Sequence, residues 1–326
     1  PTTIWSPSRY SLYSGNQVYR TGRRTTAFEG PGGPSYLKPG EMTIADMVKK
    51  QGYRTGVFGK WHVGLTWYDK DGKRLGGGFE NSLLIDYEKS TPLEDGPNTR
   101  GFDESFITPN CPTTDPLYIY IQNGMVPSPA SQRHRRENLP NPGGKWRWDN
   151  DEGWMAPDYR FVDADLLFYD KALEFITRHR TDSPERPFFV VLATQICHAP
   201  VLPAPEFSGK TDAGPRGDFV HELDMLAGRL LDAIDRPVGR VAIARPRRHL
   251  DDGPAVLECQ IPRLLARGVR LGNGRQRHRQ VLALADRSTG RVDVSLVDAE
   301  PVAEGTVGQV DRPALRDDMQ RRGIEG

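Results

Sequence analysis

This sequence has few cysteines, no long apolar segment and almost no net charge. Its 326 residues include three cysteines, too few and too scattered for a disulfide framework or a zinc cluster. No apolar run approaches about 18 residues, so no membrane span is indicated. Lys+Arg 44 against Asp+Glu 43 leaves a net charge of +1, which does not favour a nucleic-acid or membrane-surface partner. A chain of this length can still build a substantial core.

The C-terminal part of the chain lacks two residue classes altogether. No lysine follows Lys210 and no aromatic residue follows Phe219, whereas arginine, alanine and glycine stay frequent. Because aromatic side chains supply much of a core's buried area, residues 237–326 are poorly equipped to form one. A divergent domain, a disordered arginine-rich tail and a reading-frame error in the gene are the alternatives, and the abrupt change favours the last two. We therefore predict a folded domain at 1–236 and a divergent tail at 237–326.

The N-terminal part of the chain alternates helical and strand patterns. Thr43 caps a short amphipathic helix that leads into a strand at residues 55–58. Residues 161–178 and 216–235 carry apolar stripes at helical spacing. Between these two helices, residues 188–193 form a continuous apolar run, which is expected of a strand buried on both faces. This alternation predicts a layered α/β domain.

Residues 52–64, GYRTGVFGKWHVG, place chemistry at the end of the first of these strands. Gly59 breaks the strand pattern. Lys60 and His62 are two residues apart and point to the same side of an extended chain, whereas Trp61 points to the other. Ligands collect at the carboxyl ends of strands in open α/β sheets, so this cation and imidazole are candidates for holding an oxyanion. The alternative is a surface lysine and a packed tryptophan beside a strand.

Two further polar residues are candidates on related grounds. Ser6 and Pro7 suit a helix entry, which places Arg9 in the first turn, near amide groups that attract anions. The alternative is an ordinary helix cap with a solvent-facing arginine. His198 lies just past the apolar run, again at a strand end where ligands gather, although a histidine in such a place is more often structural.

These stretches resemble the sulfatase family. Residues 52–64 resemble its signature G-Y-x-T followed by G-K-W-H-x-G, and SPSRYSLYSG at residues 6–15 resembles its other signature, C/S-x-P-S-R-x-x-L-x-T-G-R. Three further stretches are family-like, at residues 100–106, 187–200 and 214–235. The resemblance covers roughly residues 2–235 and is to arylsulfatase and N-acetylgalactosamine-6-sulfatase-like members of the alkaline-phosphatase-like superfamily. It implies an α/β/α sandwich with a mostly parallel central sheet, incomplete in this chain.

The resemblance also implies a role for each candidate residue. Arg9 would hold the nucleophile and its metal-bound form, and Lys60 would bridge the nucleophile and the sulfate. His62 would hydrogen-bond the nucleophile's hydroxyl, and His198 would contact the sulfate and assist the leaving group. Fixed cations and imidazoles suit this chemistry because charge on the oxygens of a sulfate ester grows toward the leaving group.

The sequence departs from the family at the nucleophile and at the metal. Trp5 stands where the family has the Cys or Ser that matures to formylglycine. An indole cannot become an aldehyde hydrate, so formylglycine cannot form and the covalent step loses its nucleophile. The family's paired aspartates would precede Pro1, and its D-N-G motif does not follow Asp235. Calcium, bound by oxygen ligands, is expected from the family, but we assign no metal ligand in this chain.

Three functions are compatible with these residues. The first is hydrolysis of sulfate esters, in sulfated small molecules or sulfated carbohydrates, by a family member that Trp5 is expected to leave inactive. The second is a phosphodiesterase or phosphonate-ester hydrolase of the same superfamily, which G-K-W-H disfavours. The third is a pseudo-enzyme that binds sulfated sugars or a partner through Arg9, Lys60, His62 and His198. The sequence identifies no natural substrate, compartment or oligomeric state.

Overall fold

The computed structural model describes five stretches of the chain and two further strands. The described residues are 5–21, 35–76, 80–113, 115–135, 152–235, 279–285 and 292–298. The α-helices among them are Trp5–Ser14 (α1), Ile44–Lys50 (α2), Tyr87–Ser90 (α3), Ala164–Asp182 (α4) and Gly214–Asp235 (α5). Short 3-10 helices lie at Val18–Thr21, Glu80–Leu83 and Pro97–Thr99. None of the helices in this part of the chain is long and apolar enough to cross a membrane.

The strands of the domain form two sheets. The strands are Arg54–Lys60 (β1), Glu104–Thr108 (β2), Leu117–Tyr118 (β3), Ile121–Gln122 (β4), Gln132–His134 (β5), Gly153–Met155 (β6) and Phe188–Ala193 (β7). The larger sheet has the order β4-β2-β1-β7 and the smaller the order β3-β6-β5. In the larger sheet β1 pairs in parallel with both β2 and β7, and β4 pairs antiparallel with β2. The ends of β1, β2 and β7 therefore meet at one edge of the sheet.

The helices cover this sheet and bury its apolar side chains. Helix α4 packs against β1, β2 and β7, and α5 packs against α4. Phe58 of β1 meets Phe175 of α4 with ring centroids 5.8 Å apart. Val57, whose side chain points to the opposite side of β1, is fully buried. Helix α2 contacts both β1 and α1. The predicted α/β fold with a mostly parallel central sheet is confirmed.

Local sequence signals explain where the helices form. The predicted cap at Thr43 is confirmed as a capping box, because Asp46 N donates to Thr43 Oγ1 at 3.1 Å and Thr43 N donates to Asp46 Oδ2 at 3.0 Å. The predicted helix at 216–235 is confirmed in α5, which begins two residues earlier. The helix predicted at 161–178 is α4, shifted to Ala164–Asp182.

Two predictions about strands are wrong in detail. The first strand does not end before Gly59 but continues through it to Lys60, because β1 stays in register with both of its neighbours at these positions. Strand β7 is not fully buried on both faces. Phe189, Val191 and Ala193 are buried, whereas the residues between them are only partly buried.

Most of the tail lies outside the described residues. By contacts the chain divides into two compact units, Pro1–Leu257 with Val281–Val297, and Glu258–Gln280 with Asp298–Gly326. Within the tail the structure describes two paired strands, Arg279–Ala285 (β8) and Val292–Asp298 (β9). The domain boundary at 236/237 and the interpretations of the tail stay predictions.

Candidate anion-binding site

Strand β1 delivers Lys60 into the interior of the domain. Lys60 is the last residue of the strand and is 1% exposed. Its pKa is lowered, chiefly by burial, although Cys111 opposes that effect. Because a buried ammonium is costly unless it meets negative charge, the neighbouring Cys111 and Asp115, which both raise the pKa of Lys60, offset part of that cost. The alternative interpretation as a surface lysine is wrong.

His62 follows at the same strand end but in a different backbone conformation from the one predicted. Its φ is 53°, so the chain beyond Lys60 is not extended. The prediction that Lys60 and His62 point to the same side because the chain is extended there is therefore wrong. His62 N nevertheless donates to the carbonyl oxygen of Pro109 at 3.1 Å, which fixes the residue beside the end of β2. Burial and then the charge of Lys60 hold its pKa well below 6.5, so the imidazole is neutral at pH 7.

Trp61 fastens this strand end to helix α1. The indole is fully buried and stacks on Tyr13 with ring centroids 4.9 Å apart. Its backbone N–H donates to the carbonyl oxygen of Thr108 at 3.0 Å. Trp61 is packed, as predicted. Its contact with Tyr13 holds helix α1, which carries Arg9, against the end of β1.

Arg9 points into the same site. It is 4% exposed, and its Nη1 donates to the carbonyl oxygen of Lys60 at 2.8 Å. Burial lowers its pKa. Helix α1 begins at Trp5, so Ser6 lies inside the helix rather than capping it, and Arg9 lies one turn after Trp5. The alternative of a solvent-facing arginine is wrong.

The loop after β2 adds a thiol and a carboxyl group. Cys111 N donates to Asp115 Oδ2 at 2.6 Å, and His62 Nε2 lies 3.5 Å from the same oxygen. Burial raises the pKa of Asp115 to about 7, an effect that Cys111 reinforces and Lys60 opposes. Since His62 is neutral, its contact with Asp115 is not an ion pair.

The loop after β7 brings His198 close to Cys111 in the loop after β2. Cys111 Sγ donates to Gln195 Oε1 at 3.1 Å and lies 3.9 Å from His198 Nδ1. His198 Nδ1 is 2.5 Å from the carbonyl oxygen of Ala199, so this nitrogen carries a proton. Burial lowers the pKa of His198, but Cys111 outweighs burial and the pKa is raised above 6.5.

The structure therefore brings together four of the five predicted site residues. Arg9, Lys60, His62 and His198 converge on the ends of β1, β2 and β7, as neighbours that perturb one another's protonation. Trp5 is the first residue of α1. The sequence reasoning missed four polar residues that complete the site, Cys111, Asp115, Asp165 and Gln195. The strand-end rule applied to the family-like stretch at 100–106 could have found the first two.

The carboxyl groups at the site do not fit calcium. Asp165 accepts two backbone N–H groups and Asp115 accepts one, and the cations Arg9 and Lys60 act on them electrostatically. A hard cation needs about six to eight oxygen ligands and is repelled by these charges. Within the described ranges no group of three or more His, Cys, Asp or Glu is arranged to hold a metal ion.

Fold and site together define an α/β protein with buried cations and imidazoles at the strand ends. The chain belongs to the sulfatase family, whose family model matches residues 3–240. It is 28% identical over 259 residues to an N-acetylgalactosamine-6-O-sulfatase of Bacteroides thetaiotaomicron, covering 71% of this chain and 46% of that protein. It is 28% identical over 238 residues to arylsulfatase A of Bos taurus, covering 72% and 40%. The chain thus spans less than half the length of these relatives.

The solved structures include a similar fold. A structure from Bacteroides thetaiotaomicron, solved in work on the metabolism of multiple glycosaminoglycans, superposes with a TM-score of 0.52 at 26% identity. It covers 71% of this chain and 49% of that chain. This similarity supports the α/β fold of the matched region.

Asp165 positions the loop that carries His198. This residue of α4 is 3% exposed and accepts the N–H groups of Gln195 at 2.7 Å and Ile196 at 3.1 Å. We expect Asp165→Asn to lower the free energy of unfolding by about 1–3 kcal/mol, because an amide offers one acceptor where two are needed. Urea denaturation at several pH values measures this loss.

The stability difference between the wild-type chain and Asp165→Asn should also depend on pH. Burial raises the pKa of Asp165 from 3.8 to about 7, so the native state holds this proton more tightly than the unfolded chain. That contribution to stability is fully present below about pH 4 and is lost as the pH rises to about 7. Asparagine has no such proton, so the stability difference between the wild-type chain and Asp165→Asn should be larger at pH 5 than at pH 8. A difference that grows with pH would contradict this assignment.

Proposed function

We propose that this chain binds sulfate esters at the site formed by Arg9, Lys60, His62 and His198. We also propose that it does not hydrolyse them by the family's covalent route. The observation that carries the proposal is the burial of two cations beside two imidazoles at one edge of the sheet. Membership of the sulfatase family supports sulfate as the anion.

The charges of the site suit a sulfate ester. Arg9 and Lys60 are both buried, so water screens their attraction for an anion much less than it would at the surface. His198 adds a donor whose pKa is raised, whereas neutral His62 can donate one hydrogen bond without adding charge. Charge-assisted hydrogen bonds from such groups to oxyanions are about twice as strong as neutral ones.

The absence of turnover is inferred from position 5. By its resemblance to the family signature, this position holds the nucleophile, and in this chain it holds Trp5, one helical turn before Arg9. An indole can form neither formylglycine nor a covalent sulfate intermediate. Calcium is expected from the resemblance to the family. The described carboxyl groups beside the cations do not fit it, so calcium binding by this chain stays an untested prediction.

The substrate class we propose is a sulfated carbohydrate. The support is the activity named for a relative, an N-acetylgalactosamine-6-O-sulfatase, and the glycosaminoglycan context of the similar solved structure. In such a sugar the sulfate would meet the cations, while the ring would lie toward His198, which is only partly buried. The phosphodiesterase alternative has no observation in its favour and becomes an arm of the test.

Titration calorimetry with the full chain tests binding. N-acetylgalactosamine 6-sulfate and 4-nitrophenyl sulfate are expected to bind with a Kd of roughly 1 mM or tighter, and unsulfated N-acetylgalactosamine is expected not to bind. Equal heats for the sulfated and unsulfated sugars would refute the binding site.

A turnover assay tests the missing nucleophile. With calcium or with a chelator, the wild-type chain should release no 4-nitrophenol from 4-nitrophenyl sulfate or from bis(4-nitrophenyl) phosphate. Sustained release from the sulfate would overturn the inactive assignment, and release from the diester alone would favour the phosphodiesterase. Trp5→Cys, produced with a formylglycine-generating enzyme, serves as the matched variant. Turnover in this variant alone would assign the inactivity of the wild-type chain to position 5.

A further inference from the structure

Gln195 joins two loops whose strands are not neighbours in the sheet. In the order β4-β2-β1-β7, strand β1 lies between β2 and β7, so the ends of β2 and β7 are about 9–10 Å apart. The loop after β2 carries Cys111, and the loop after β7 carries His198. A contact between the two loops therefore crosses the end of β1, where Lys60 lies.

The side chain of Gln195 makes this contact with both ends of its amide group. Its Oε1 accepts a hydrogen bond from Cys111 Sγ at 3.1 Å, and its Nε2 donates to Thr113 Oγ1 at 2.5 Å. Gln195 is 3% exposed and Thr113 is fully buried, so water competes little for these hydrogen bonds. An apolar side chain could fill the same volume but would leave the two loops without this link.

The main chain of Gln195 continues the link to His198. The N–H group of His198 donates to the carbonyl oxygen of Gln195 at 2.9 Å, which closes a turn. The N–H group of Gln195 donates to Asp165 Oδ1 at 2.7 Å, so this residue is also held from α4. Its side chain thus bonds the loop after β2, and its main chain bonds α4 and His198. Residues locked in this way hold a neighbouring functional side chain in one geometry.

We propose that Gln195 is a positioning residue, which holds the imidazole of His198 in place for a sulfate ester at the end of β1. The inference rests on the proposed function, in which His198 contacts the sulfate. Without the amide group, the loop after β7 would keep its bonds to Asp165 but lose its link to the loop after β2. The ligand would then have to restrict a more mobile His198, which weakens binding.

A double-mutant cycle tests the proposal by titration calorimetry of the full chain with N-acetylgalactosamine 6-sulfate. Gln195→Met removes both amide hydrogen bonds and keeps an unbranched side chain of similar length. We expect it to raise the Kd about tenfold in the wild-type background and less than about twofold in the His198→Ala background, where the imidazole to be positioned is absent. An equal rise in both backgrounds would overturn the proposal in favour of a structural role.

Two further variants keep this result specific. Ser105→Ala is the matched control, because it also loses a buried side-chain hydrogen bond, to Asn98 at 2.7 Å, but lies three residues before the end of β2. It should leave the Kd unchanged, and a tenfold rise would overturn the proposal. If circular dichroism shows that Gln195→Met does not fold, Thr113→Val breaks the same link from its other end. The Kd should again rise only where His198 is present, and an unchanged Kd would count against the link.

The wild-type titration separates the failure of this inference from the failure of the proposed function. If the wild-type chain binds the sulfated sugar and Gln195→Met binds it equally well, the role of Gln195 is refuted and the sulfate-ester site stands. If the wild-type chain does not bind it, the proposed function is refuted, and the role of Gln195 with it.

Discussion

Replacing Gly59 with alanine is expected to lower the free energy of unfolding by more than about 3 kcal/mol, enough to unfold a marginally stable domain. A Cβ atom at this position would lie 2.1 Å from the carbonyl oxygen of Ala193, a backbone atom of the neighbouring strand. The φ of Gly59 is also +111°, a conformation that L side chains rarely adopt. The two strands would have to separate to relieve the clash.

Gly52→Ala is the control that distinguishes the steric clash from the backbone strain. Gly52 has a φ of +87° but nothing within 4 Å of the added Cβ, so this variant should lose only about 1 kcal/mol. Urea denaturation followed by circular dichroism compares the two variants. If their midpoints coincide, the close approach of β1 and β7 at Gly59 does not have the cost assigned to it.

The close approach at Gly59 also shapes the site. Gly59 pairs with Ala193, so Lys60 and the loop to His198 leave the sheet side by side. Nothing in the sequence near Gly59 shows that a second strand passes at van der Waals contact. The glycine predicts a break in the strand when considered alone, whereas the pairing of β1 with both neighbours makes it a strand residue.

Elements with strong local signals could be predicted from the sequence. Helix α5 follows from its apolar stripe, and the start of α2 follows from the cap at Thr43. The ends of α4 and the burial of β7 were predicted less well, because both depend on which neighbouring elements cover them. A continuous apolar run does not reveal that one face of its strand is only partly covered.

The site was predictable where a short motif carried it and not where contacts are long-range. Arg9, Lys60, His62 and His198 lie in family-like stretches, and the structure brings all four together. The geometric argument for His62 was wrong, since its backbone is not extended. The thiol of Cys111 meets Gln195, a residue 84 positions away, through the pairing of three strands, and no local pattern encodes that contact.

Lys60→Met is expected to weaken the binding of a sulfate ester by about 100-fold, a loss of about 2.7 kcal/mol, because it removes a buried charge-assisted donor. Methionine keeps an unbranched side chain of similar length, so the packing at the end of β1 should survive. Stability should hold or rise, since burying an ammonium group of 1% exposure costs free energy that methionine does not incur.

The opposite directions of these two effects make the test of Lys60 specific. A variant that merely unfolds loses both binding and stability, whereas Lys60→Met should lose binding and keep its thermal midpoint. Lys49→Met is the matched control, because Lys49 is 45% exposed and pairs with Asp103 away from the site. It should leave the calorimetric Kd for N-acetylgalactosamine 6-sulfate unchanged. An unchanged Kd in Lys60→Met would instead mean that the buried ammonium serves the fold and that the sulfate binds elsewhere.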